Sequence, residues 1–155
     1  MTRSDAVRSG RDDGQVALLV LVYALIALSL VAVVVDATAV HLARTQLLDA
    51  ADAAALDAAD AVDEQAVYVG GLADAVPLTT ASVRDQATTY LSSYVVPSHL
   101  DDVVLGDRTG STDGASATVE LRGRVRLPIG GSVMAAWRGG ILVTVTSTAR
   151  TTLAP

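Results

Sequence analysis

The chain has 155 residues, a net charge of −6 and 51% hydrophobic residues, with one Trp and neither Phe nor Cys. Lacking cysteine, it has no disulfide framework, no thiolate chemistry and no Cys-based metal site. Its acidic balance argues against nucleic acid, which demands a basic patch.

Residues 1–15 form a tail carrying Arg3, Arg8 and Arg11. A run of twenty uncharged residues follows, Val16 to Val35, of which fourteen are Val, Leu or Ile and four are Ala. At about 1.5 Å per residue it spans roughly 30 Å, the thickness of a bilayer's hydrocarbon. Its insertion term is about −6 kcal/mol. A soluble core helix would show a polar stripe, and none is visible. A signal peptide is the stronger rival, because Ala37-Thr38-Ala39 fits a cleavage site. However, the run exceeds the usual apolar region of such peptides, and no Gly or Pro lies between Gln15 and Val69. The expectation is an uncleaved transmembrane helix over 16–35. Arginine placement puts the N-terminus in the cytoplasm and the C-terminal head outside, in the cell membrane as a single-pass protein.

From Asp36 to Val69 the helix should continue straight out of the membrane. Val40, Leu47, Ala51, Ala54, Ala58, Val62, Ala66 and Val69 recur at helical steps as a stripe of mostly small residues. Leu47, Ala51, Ala54, Ala58 and Val62 are the candidate packing stripe, since small side chains let another element approach closely. Asp49, Asp57, Asp60 and Glu64 share another face, a solvated one, and Gly70-Gly71 ends the helix. A helix of this kind buries too little surface to be stable alone, so something must pack on it.

Residues 70–155 should form a small head. "TTASVRDQATTYLSSYVVP" predicts a second helix, with Ser82 and Asp85 as capping box and Val83, Ala87, Tyr90, Leu91 and Tyr94 as apolar face. The period then changes to two. A short strand near Asp102–Gly106 leads through "DRTGSTDG" into "ASATVELRGRVRLP", its hairpin partner. There Ala117, Val119, Leu121, Val125 and Leu127 point one way. Thr118, Glu120, Arg122, Arg124 and Arg126 point the other. After a connection with a helical turn at Val133–Trp137, "ILVTVTSTART" turns Ile141, Val143 and Val145 inward. The predicted fold class is membrane-anchored α+β, with two helices covering one face of a small antiparallel sheet of about three strands.

No catalytic constellation emerges. His41 reads as an interfacial side chain. His99 lies beside Asp101 and Asp102, but four loop residues do not supply ligand geometry. The alternating arginines read as a solvated strand face. No cofactor, metal, nucleic acid or small-molecule substrate is expected, and the protein is not expected to be an enzyme.

A charged tail ending in Gly-Gln, an apolar span closing on "VVVD" and then "LARTQLLDAADAAALDAAD" resemble the Flp pilus-assembly TadE/TadG-like family. The resemblance is strong over Gly14 to about Val62 and thereafter extends only to the helix-then-strands layout. It implies a single-pass, pilin-like protein of a tight-adherence pilus or related secretion assembly. Its partners would be membrane lipid and other pilin-like subunits or assembly-platform proteins. Prepilins of this type carry a cleavage-site Gly with Glu five residues on; here Gln15 follows Gly10 and Leu19 follows Gly14 at that spacing. An accessory or minor subunit therefore fits better than a major pilin. The reading from another class is a membrane-tethered adaptor or sensor for a cell-envelope ligand.

Overall fold

The computed structural model describes residues 5–70, 77–133 and 139–150. Its elements follow the order α1 (Asp5–Gly70), α2 (Thr80–Ser93), β1 (Leu100–Leu105), β2 (Ser116–Val125), α3 (Gly130–Val133) and β3 (Ile141–Arg150). The first helix runs 66 residues without a break, roughly 100 Å of rod. Uninterrupted helix-forming composition explains its length. Residues 71 and 134–137, and so Gly71 and most of the expected turn at Val133–Trp137, lie outside the described residues. The described part of this connection carries a helical turn at Gly130–Val133.

The three strands form one antiparallel sheet in the order β1-β2-β3. Between β2 and β3 the register is unbroken from Ser116↔Arg150 to Val125↔Ile141. In β1 it is not. Asp101 faces Arg124 and Val104 faces Arg122, so Asp102 and Val103 together oppose Gly123. Asp102 takes up this bulge with φ 52°, a left-handed conformation that Asp tolerates better than most residues. The extra residue resets the alternation, leaving Val103 and Leu105 packed on the core and Val104 exposed.

One face of the sheet carries both longer helices. Val119, Leu121 and Val125 of β2, Val143 and Val145 of β3, and Val83 and Ala87 of α2 belong to one core with Ala43–Ala59 of α1. The head's core is therefore built on the rod itself. Gly123 lies inward on β2, and the side chains of Leu47 and Leu100 come within 3.4 Å of where its Cβ would be. Leu47, the one large side chain among the buried alanines, packs over this glycine.

The start of α2 differs from expectation. The capping box is Thr79 with Ser82, not Ser82 with Asp85. Thr79 Oγ1 accepts from the Ser82 N–H at 3.0 Å, and Ser82 Oγ accepts from the Thr79 N–H at 3.1 Å. The helix begins one turn earlier because Thr79, in extended conformation after Pro77-Leu78, already offers a cap. Thr80 donates to the Ser111 carbonyl at 3.0 Å, which ties this end to the β1–β2 loop.

Candidate functional site

The span and the stripe occupy different parts of α1 and have opposite surroundings. From Val16 to Val35 the large side chains stand in the open, Leu18 at 66% and Leu28 at 69% exposure. This helix is long and apolar enough to cross a membrane, and none of its most apolar stretch is buried. About three turns beyond the span, Leu47, Ala51 and Ala54 are completely buried and Ala58 nearly so. Ala43, Ala50, Ala55 and Ala59 join them, which widens the contact from a stripe to half the helix. That width answers to two neighbours, the sheet on one side and α2 on the other. The side chain of Val62, the last stripe residue, lies outside the described ones. On the opposite face Leu42, Asp49, Leu56 and Asp60 are exposed.

The junction between span and head turns on Asp36. Its carboxylate oxygens accept the Ile129 N–H at 3.0 Å and the Gly130 N–H at 2.7 Å, joining positions more than ninety residues apart. Sequence reading noted Asp36 only as the end of the apolar run. No local pattern marks the pairing, because the partners are backbone N–H groups.

The outer face of the sheet is more tightly organised than alternating arginines suggested. Glu120 points outward as expected, yet it is 1% exposed. The β1–β2 loop folds back over it. Gly106 N–H donates to the Glu120 carbonyl at 2.7 Å, and Thr109 Oγ1 accepts from the Glu120 N–H at 3.1 Å. The carboxylate lies against Gly106 so closely that a Cβ there would overlap it. Arg122 reaches it at 2.7 Å and Arg108 at 3.0 Å, which compensates the buried charge. Arg122 also holds Asp107 at 2.9 Å. Arg126 bonds Asp101 in bidentate fashion, at 2.6 and 3.0 Å. Arg124 donates to the Gly139 carbonyl at 2.8 Å and lies 3.6 Å from Asp102. These bonds push two guanidinium pKa values up, that of Arg122 through Glu120 and then Asp107, that of Arg126 through Asp101. Arg122, Arg124 and Arg126 are thus all spoken for within the chain. Each acidic partner comes from β1, from its loop or from β2 itself.

At the entry to β2, Asp113 Oδ1 accepts the N–H groups of Ala115 at 3.0 Å and Ser116 at 2.7 Å, and Oδ2 accepts the Ser116 hydroxyl at 2.8 Å. The Ala115 bond, followed by those from Ser116, holds the carboxyl at about 2, below its ordinary 3.8. Among the described residues no group of three His, Asp or Glu is placed to hold a metal ion. His99 gives its carbonyl to the Arg126 N–H at 2.9 Å.

No curated protein and no solved structure matches the chain. A family model does match, over the exposed span and the buried stripe together and ending before the head's second helix. That model, described as putative Flp pilus-assembly TadE/G-like, matches residues 14–61, so over this segment the chain is similar to that family, which supports a pilus-associated role for the protein.

Proposed function

We propose that the protein is a pilin-like accessory or minor subunit of a tight-adherence pilus or related secretion assembly. It acts by anchoring and helix packing and performs no catalytic step. The observation that carries this reading is the family match over Gly14–Ala61, the same segment in which an exposed apolar helix passes into an alanine-lined rod. The span holds the subunit in the membrane, with the N-terminus cytoplasmic and the head outside. Because Ala51, Ala54 and Ala58 are occupied by the chain's own head, the stripe's role is to fix head to rod. Sister subunits and platform proteins are then met by the span and by the rod's outer face around Leu42 and Leu56. Deleting the gene in its host should abolish surface pili or sharply reduce their number, and the intact chain should restore them. Normal piliation in the deletion strain would refute the assignment.

A further inference from the structure

The underside of the head ends in a groove of about 240 Å³ lined by Val33, Asp36, Ala37 and Val40 of α1, with Leu127 and Ile141 opposite. Asp36 is not a free charge there, since both its oxygens accept loop N–H groups. Water is a poor occupant, because a bound water needs two to four polar partners and the remaining lining is aliphatic. Apolar surface also continues past the groove: Val33 within the span is 64% exposed, Ile141 36% and its neighbour Leu142 63%. From Val33 to Val40 the helix rises roughly 10 Å. The polar boundary of one leaflet is about 5–8 Å deep, so a groove that starts inside the hydrocarbon reaches across it.

We infer that the head is seated in this boundary layer, with a lipid acyl chain of the bilayer filling the groove between α1 and Leu127–Ile141. The inference rests on the span crossing the membrane. Its occupant follows from continuity: the groove opens directly onto the exposed apolar surface of the span, which a bilayer covers with acyl chains. Asp36 acts as the pin, holding the 127–130 loop down against the first turn beyond the span. The head is therefore held against the membrane surface and not carried away from it on a free stalk.

The chain contains no cysteine, so single-cysteine variants can report depth through nitroxide labels. Leu25→Cys marks mid-span, and Ile141→Cys and Leu142→Cys the underside. Thr146→Cys marks the exposed outer face about 15 Å further along β3. The full chain would be placed in vesicles of phosphatidylethanolamine and phosphatidylglycerol and tested against oxygen, which partitions into lipid, and a water-soluble nickel chelate. Labels at Leu25, Ile141 and Leu142 should favour oxygen, and the label at Thr146 the chelate. If Leu25 lies in lipid while Ile141 and Leu142 behave like Thr146, the seating is overturned and the span stands. If Leu25 itself is aqueous, the span reading falls and the seating with it. Asp36→Ala should shift the Ile141 label toward the chelate without moving Leu25; an unchanged Ile141 label would overturn the role of the pin.

Discussion

The Glu120 carboxylate lies against Gly106 where a Cβ would overlap it, and the pair makes a specific demand on sequence. Removing one partner of a buried ion pair costs about 3–5 kcal/mol when the survivor stays buried. Here the survivors reach water, Arg108 at 78% and Arg122 at 37% side-chain exposure. Glu120→Ala is therefore expected to cost less, about 1.5–3 kcal/mol, the range for hydrogen bonds to a charged group. Gly106→Ala should cost a similar 1–3 kcal/mol, roughly that of overpacking, because its Cβ would displace the Glu120 side chain. In the double variant the two costs should not add, since the clash has lost its object. Thermal unfolding of the full chain in detergent micelles measures all three, and simple additivity would refute the contact. Asp113 gives a pH signature. Its folded carboxyl titrates at about 2 against an ordinary 3.8, so the stability it supplies is present above about 4 and is lost as pH falls toward 2. Asp113→Asn should remove that part of the acid sensitivity. Identical melting-temperature slopes for the two chains over that window would contradict it.

At the scale of elements, the alanines of α1 are small because three elements crowd onto them. Ala54 is fully buried, and a leucine there would insert bulk between rod and head. The expected cost is about 1–3 kcal/mol. Asp57, exposed on the same turn, should accept leucine at under about 0.5 kcal/mol. If Ala54→Leu leaves the melting temperature unchanged, the rod and head are not packed as described. Crosslinking in membranes should respond differently: substitutions at Leu42 or Leu56 are expected to reduce subunit crosslinks while leaving head stability intact. Leu47 reverses the logic of its neighbours. It is fully buried against Gly123 and its neighbours, and Leu47→Ala should cost about 2–5 kcal/mol as a cavity opens.

The whole molecule is one helix to which a head is fastened at two levels, the alanine contact and the Asp36 junction. This arrangement leaves the twenty-residue apolar run as the only long uncovered part of α1 among the residues whose side chains are described. Three arginines precede that run in the sequence, which sets the expected orientation. A reporter fused after Pro155 should be active outside the cytoplasm, and activity confined to the cytoplasm would refute the topology. The anchor should also persist in the mature chain. A mature N-terminus at Val40 would mean cleavage after Ala39 and the loss of the span together with Asp36. A start at Arg11 or Gln15 would instead reveal prepilin-type processing without the glutamate.

What was legible in the sequence was carried by local periodicity. A twenty-residue apolar run, a helix-forming stretch without Gly or Pro and two alternating segments each report on themselves, because helix and strand impose fixed repeats on neighbouring residues. The span, the rod, the hairpin and the inward set of β2 follow from that. The partner of each surface does not. The alanine stripe looks the same whether it faces another subunit or its own sheet, and only the return of the chain through α2 and the strands decided for the sheet. Glu120 sits in the outward phase of its strand, and its burial depends on a loop folding back over it. The bulge at Asp102 changed which valine of β1 meets the core. Asp36 finds its two N–H donors more than ninety residues away. These are long-range contacts, selected by the packing of the whole chain, and no repeat within a single segment encodes them.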